Sequence, residues 1–266
     1  MPSLQFDKYE GLGNDFIVVG ERGAALAERA VAVCDRHFGI GADGVLSVTG
    51  GRTQGARATM VVHNADGSRP EMCGNGLRCV ALHLARADGV ERVEYTIDTD
   101  AGPKHCVVVR DGATAQVLID LGSAVAQGEH RASHGGTDYR FDRISMGNPH
   151  AVWLGGLLEG AAADAVGAAV SGQIAGGSNV EFVAQRGPRT ADLVVWERGV
   201  GRTLACGTGA GAAAAALALA GKAPFGEPIE IRLPGGPLEV TVDSPGLGVR
   251  LRGPARWVFA GEVPSP

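Results

Sequence analysis

With 266 residues, 45% of them hydrophobic, the chain is long enough for two domains or one large one with an ample core. A net charge of −5 with scattered, mostly arginine basic residues argues against a nucleic-acid surface, and no apolar tract approaches the length that spans a bilayer. Five cysteines without a C-x-x-C pair, and no histidine at zinc-finger spacing, argue against a disulfide framework and against a metal site.

Met1 to Phe6 lacks the basic and apolar regions of a signal peptide, so a soluble, cytoplasmic protein is expected. Leu4 to Tyr9 alternates like a strand, turns at Gly11-Leu12-Gly13 and resumes as Phe16 to Val19. Ala24 to Arg36 carries apolar residues at helical spacing, and Thr59 to His63 is a short strand delivering Asn64 to a turn. Leu77 to Arg86 reads as a helix. Val93 to Asp98, Lys104 to Arg110 and Ala115 to Leu121 follow as strands separated by Gly and Asp turns. Val125 to Thr137, rich in Gly, Ala, Ser and His, reads as a linker. Beyond it come strands at Tyr139 to Ser145 and Ala151 to Leu154, and a weakly patterned helical stretch from Leu157 to Val170. Strands at Val180 to Gln185 and Asp192 to Glu197 precede the Ala-rich helix of Ala212 to Ala220. Ile229 to Leu233, Leu238 to Asp243, Gly248 to Arg252 and Ala255 to Glu262 complete the strands. Mixed strands with few helices predict an α+β fold rather than a parallel βαβ sheet.

One unit is used twice. Glu71-Met72-Cys73-Gly74-Asn75-Gly76-Leu77-Arg78 is echoed 133 positions later by Leu204-Ala205-Cys206-Gly207-Thr208-Gly209-Ala210. Asn64 stands nine residues before Cys73, as Glu197 stands nine before Cys206. Gly13-Asn14-Asp15-Phe16 matches Gly147-Asn148-Pro149-His150, and Gly41-Ala42-Asp43-Gly44 matches Gly176-Gly177-Ser178-Asn179. The offsets predict two pseudo-symmetric lobes, residues 1–121 and 122–254, each of mixed sheet wrapped around a central helix, with a site in the cleft between them.

Each Cys-Gly-x-Gly opens a helix, where converging backbone N–H groups and roughly half a positive charge favour an anion and push a thiol towards thiolate. Two such cysteines suit removal of a proton from one face of a carbon and its return to the other. Pyridoxal phosphate would need a placed lysine, and Lys8, Lys104 and Lys222 all lie outside the motifs. Chemistry without a cofactor follows, with one cysteine starting as thiolate and its counterpart as thiol. On turn chemistry alone, the asparagines serve equally as caps, Glu197 and Arg198 as an exposed ion pair, and His150 as a satisfied core histidine.

These motifs, with Gly11-Leu12-Gly13-Asn14-Asp15-Phe16 and Asn64-Ala65-Asp66-Gly67-Ser68, occur in an order that resembles the diaminopimelate epimerases over nearly the whole chain. The resemblance implies an isomerase that interconverts LL- and meso-diaminopimelate on the route to lysine and peptidoglycan, without cofactor or metal. It implies a homodimer with no nucleic-acid or membrane partner, and a last strand (255–266) that returns to the first lobe. Cys73 and Cys206 become proton donor and acceptor. Asn14, Asn64, Asn148, Asn179, Glu197 and Arg198 become substrate ligands, chiefly at the non-reacting end, where Glu197 suits an ammonium and Arg198 a carboxylate. Gly74, Asn75, Gly207 and Thr208 cradle the reacting carboxylate. Two departures stand out: Gly44 replaces a substrate-contacting glutamine of some members, and Ala161 to Gly177 is unusually rich in Ala and Gly. The alternatives are a related proline, hydroxyproline or histidine racemase, and a non-catalytic amino-acid-binding protein. Proline-type enzymes usually carry His after Cys-Gly, where Asn75 stands, and binding alone needs neither thiol.

Overall fold

The structure, a computed structural model, describes residues 3–20 and 25–264. The chain divides into two compact units, Met1–Ile119 with Gly253–Pro266, and Asp120–Arg252.

The first unit begins with β1 (Ser3–Gly11), β2 (Asn14–Val19), α1 (Ala25–Cys34), β3 (Gly44–Thr49) and β4 (Ala58–Asn64). It continues with α2 (Gly74–Ala87), β5 (Arg92–Thr99), β6 (Gly102–Asp111) and β7 (Thr114–Ser123), through which the chain enters the second unit. That unit holds β8 (Val125–His134), β9 (Thr137–Ser145), β10 (Pro149–Trp153), α3 (Gly160–Gln173), β11 (Asn179–Gly187), β12 (Thr190–Glu197), β13 (Gly201–Thr203), α4 (Gly207–Leu219), β14 (Pro228–Leu233) and β15 (Gly236–Val242). The chain returns along β16 (Gly248–Pro264).

In the first unit β1 to β7 are neighbours in sequence order, and β16 lies beside both β1 and β7, which closes the circuit. Both faces of these strands are covered, so β2 and β3 read as apolar runs rather than as clean alternation: Phe16, Ile17, Val18 and Val19 are all buried. Leu4, Phe6, Ile17, Val19 and Val45 form one face, packed under Leu26, Ala30 and Val33 of α1. On the other face, α2 packs against β1 to β6 and buries ten residues, among them Arg78.

The second unit repeats the plan. Its strands run β8-β9-β10-β11-β12-β14-β15-β16, with β13 on β12. Phe141, Val180, Phe182 and Val194 pack under Ala163, Val166 and Val170 of α3, while α4 lies against the strands β9 to β12, β14 and β15. A helix buried all round has no polar face, and α4 has none: eleven of its residues are buried, mostly alanine, which lets the strands approach closely.

Several expectations need correction. Val125 to Thr137 is no linker; it supplies β8 and the start of β9, paired from Val125↔Ser145 to His134↔Thr137. As an edge strand, β8 buries only Ala132 and so carries almost no apolar signal. The two last strands are one, because Gly253-Pro254 costs β16 a single donor without ending it. β3 and the short β13 carry no expected strand, since glycine-rich turns flank both. Ala24, where the first helix was expected to begin, lies outside the described residues. The weakly patterned stretch does form α3, through a narrow stripe of Ala163, Val166, Gly167 and Val170 at i, i+3, i+4 and i+7. Among the described residues no helix is long and apolar enough to cross a membrane.

Candidate active site

Both helix starts have the same construction. Cys73 caps α2 with φ −136° and ψ 113°, and its Sγ accepts from the Gly76 N–H at 3.4 Å. Cys206 caps α4 with φ −129° and ψ 110°, and its Sγ accepts from the Gly209 N–H at 3.4 Å. The sulfur does what a serine or aspartate oxygen does at other helix starts. Gly74 and Asn75 stand in the first turn of α2, Gly207 and Thr208 in that of α4.

In the first unit the structure brings Asn14 to the start of α2. Asn75 Nδ2 donates to Asn14 Oδ1 at 3.0 Å, and Asn14 Nδ2 donates to Asp43 Oδ2 at 2.7 Å. The chain of amides is held at both ends by charge. Arg78, fully buried, donates to Asn75 Oδ1 and to the Pro254 carbonyl, both at 3.0 Å, while Arg36 pairs with Asp43 and Asp15. Asn64 ends β4 opposite Gly44, with its amide on Ser68 Oγ at 2.9 Å. A Cβ on Gly44 would come within 2.7 Å of the His63 carbonyl, so the backbone leaves no room for a longer side chain there.

In the second unit Asn148, Thr208, Glu197 and Cys206 form one cluster. Asn148 Nδ2 donates to Thr208 Oγ1 at 3.4 Å, and that hydroxyl is 3.6 Å from Cys206 Sγ. Glu197 accepts from Thr203 Oγ1 at 2.5 Å and is also hydrogen-bonded to Cys206. Asn179 and Arg198 are joined, but through the backbone: the Arg198 N–H donates to Asn179 Oδ1 at 2.9 Å. The Arg198 guanidinium donates to the Gly176 carbonyl and lines a shallow hollow with Ser171, Gln173, Gly177 and Trp196. A Cβ on Gly177 would lie 2.6 Å from the Arg198 side chain, so this glycine makes room for the arginine.

The expected push towards thiolate fails at Cys206. Burial raises this thiol well above its ordinary value; Glu197 and Glu181 raise it further, and the donors from Thr208 and Gly209 only partly offset them. Burial likewise raises Glu197 and Glu181, chiefly by desolvating the charged form. Cys206 therefore rests as a neutral thiol whose hydrogen can be shared with Glu197. Cys34, Cys79 and Cys106 are buried packing residues: burial pushes Cys34 up to about 11 and Cys106 up to about 12.

Asp43 and Arg78 in the first unit, and Glu181 in the second, were absent from the sequence-based site. Glu181 did leave a trace, a lone carboxylate inside the apolar run Val180-Glu181-Phe182-Val183. Asp43 and Arg78 sat within motifs already noted, but nothing in the spacing marked them as partners of Asn14 and Asn75.

The two-unit, strand-rich fold is also that of solved proteins that include racemases and epimerases. A hydroxyproline epimerase from Agrobacterium vitis shares it with a TM-score of 0.76 at 17% identity, covering 99% of this chain and 91% of that one. A phenazine biosynthesis protein of the PhzF family from Bacillus anthracis does so with a TM-score of 0.74 at 15% identity, covering 99% of each. Closer in sequence are the diaminopimelate epimerases of Synechococcus sp. strain JA-3-3Ab, 40% identical over 98% of this chain and 99% of theirs, and of Microcystis aeruginosa, 38% identical with the same coverage. The diaminopimelate epimerase family model matches residues 6–126 and 143–258. The chain belongs to the diaminopimelate epimerase family, a family of isomerases.

Proposed function

We propose that this chain interconverts LL- and meso-diaminopimelate by proton transfer at one α-carbon, with Cys73 and Cys206 serving opposite faces of it. The observation that carries the reading is the duplicated cap: two thiols, each on the sulfur-accepting start of a buried helix, in a chain of this family. The first-turn N–H groups of α2 and α4 suit the substrate carboxylate, and stabilise the charge that develops when the α-proton leaves.

The two thiols need different protonation states at the start. Cys206, held up by burial and by two carboxylates, suits the donor, and Cys73 then serves as acceptor. In the reverse direction Glu197, already bonded to Cys206, is placed to take the thiol hydrogen and leave the thiolate. Glu197 is thus offered to the reacting centre rather than to a distal ammonium, which leaves Arg198 as the side chain for a distal carboxylate.

Purified protein should epimerise LL-diaminopimelate with no added cofactor, followed by loss of optical rotation. Cys73→Ala and Cys206→Ala should each lower kcat by about 10²–10⁴-fold, the usual contribution of a general acid or base, and Cys34→Ala should leave it within about twofold. Equal loss in all three folded variants would contradict the assignment.

A further inference from the structure

Arg78 stands five residues after Cys73 on α2, and the matching place five residues after Cys206 on α4 holds Gly211. The two places have opposite surroundings. A Cβ on Gly211 would meet Met146 at 3.2 Å and Val249 at 3.3 Å, so the second unit is apolar there. The first unit buries a guanidinium instead, with Arg78 0% exposed. β1 and β16 close over it: a Cβ on Gly11 would stand 3.2 Å from Nη2 and 3.5 Å from the Pro254 carbonyl oxygen. Nε donates to that carbonyl and Nη2 to Asn75 Oδ1, while the buried Nη1 has no hydrogen-bond partner among the described residues. Both acceptors are neutral. Arginine keeps its proton in proteins, and a charge taken out of water is costly unless an opposite charge answers it. The apolar plan of the second unit would fill this place at less cost, so the guanidinium points to function.

Burial works to lower the pKa of Arg78, and the groups whose negative charge opposes it are Cys79, Cys73 and Glu10. Cys79 cannot supply that charge, because burial raises its thiol well above the ordinary value even with Arg78 beside it. Glu10 is already engaged: Oε1 pairs with Arg256 at 2.9 Å, and Oε2 accepts from the Gly13 N–H at 3.0 Å. Asp15 of β2, whose field reaches Cys79, pairs with Lys8 and Arg36. Cys73 remains. It is half-buried rather than enclosed, it caps the helix that carries Arg78, and its Sγ accepts from the Gly76 N–H. Cys206 lies under the opposite field, that of the Glu197 and Glu181 carboxyl groups.

We propose that Arg78 is a positioning residue whose buried charge holds Cys73 as the resting thiolate, so that the first unit supplies the base and the second, where Gly211 stands, supplies the acid.

The inference rests on Cys73 being the acceptor thiol proposed above, so its test reads that thiol without substrate. Reduced free enzyme is alkylated by iodoacetamide across a range of pH. Mass spectrometry of the Cys73 peptide gives the midpoint at which the thiol ionises, with the Cys206 peptide as internal reference. In the native enzyme that midpoint should lie below the ordinary thiol value of about 8.5. Arg78→Met removes the charge and every donor but keeps an unbranched side chain; Arg78→Gln removes the charge but keeps a donor for Asn75 Oδ1. Both should raise the Cys73 midpoint by about one unit, which is about tenfold less thiolate below both midpoints. A purely structural role would lower Tm in both variants and leave the midpoint where it was. A role through Asn75 alone would move the midpoint in Arg78→Met and not in Arg78→Gln. Either of these results would overturn the proposal, and Arg78→Gln decides alone if Arg78→Met does not fold. A native midpoint at or above about 8.5 would overturn it with no variant at all. A protein that shows the shift yet turns over no diaminopimelate would uphold the role of Arg78 and contradict the epimerase reading alone.

Discussion

Glu197 shows how a carboxyl group is held away from water at a cost to folding. It is half-buried, and burial raises its carboxyl above the ordinary carboxylate range, partly offset by Thr203 and Cys206. A raised folded-state pKa means the unfolded chain ionises first. Stability is then greatest below the unfolded value, about 4.3 for glutamate, falls as pH rises towards the folded value, and stays low above it. Glu197→Gln keeps an acceptor for Thr203 and removes the charge. It should therefore raise Tm at neutral pH while depressing turnover, and the gain in Tm should vanish as pH falls below about 4.3. A gain that persists in acid would place its origin elsewhere. At this scale the sequence made the cysteines legible, because Cys-Gly-x-Gly recurs intact. The charge state of Cys206 was not legible: the helix start predicts thiolate, and only the folded neighbourhood of burial, Glu197 and Glu181 reverses the sign.

At the scale of elements, α3 gives a case where local propensity and packing disagree. Glycine in a helix interior costs up to about 1 kcal/mol against alanine, so Gly→Ala is ordinarily stabilising. Gly172 has open space around its Cβ position, and Gly172→Ala should stabilise by up to that amount. Gly167 lies on Trp196, whose ring would stand 2.4 Å from an added Cβ, so Gly167→Ala should destabilise by about 1–3 kcal/mol. Denaturant titration of both variants reads the two signs, and two stabilising changes would mean that α3 does not rest on Trp196. The same contact explains why this helix was hard to read. Its buried stripe is made of Ala, Val and Gly, which leaves little apolar contrast along the chain. β8 was missed for a related reason, since an edge strand with one buried residue has no period to detect. The longer strands, buried on alternate or on both faces, were read nearly to their ends.

Over the whole chain, duplication governs both architecture and chemistry. The constant offsets seen in the sequence correspond to equivalent pairings: Phe16↔Gly44 and Val45↔His63 in the first unit, His150↔Asn179 and Val180↔Trp196 in the second. The duplication supplies two capping thiols of like geometry, and the departures from it make them unlike. Asn14 leads to Asp43 and Arg36, whereas Asn148 leads to Thr208, His150 and Glu181. An epimerisation with two bases needs that asymmetry, because one thiol must begin protonated while its counterpart does not. The most direct measurement of this account follows the proton itself. In deuterated water the thiols of the free enzyme exchange with solvent before LL-diaminopimelate binds. If Cys73 and Cys206 serve opposite faces, the hydrogen removed is not the one returned. Mass spectrometry at low conversion should then find deuterium in the meso product and almost none in the recovered substrate. Product that retains the hydrogen of the substrate would mean that one base serves both faces, and would contradict the two-cysteine account.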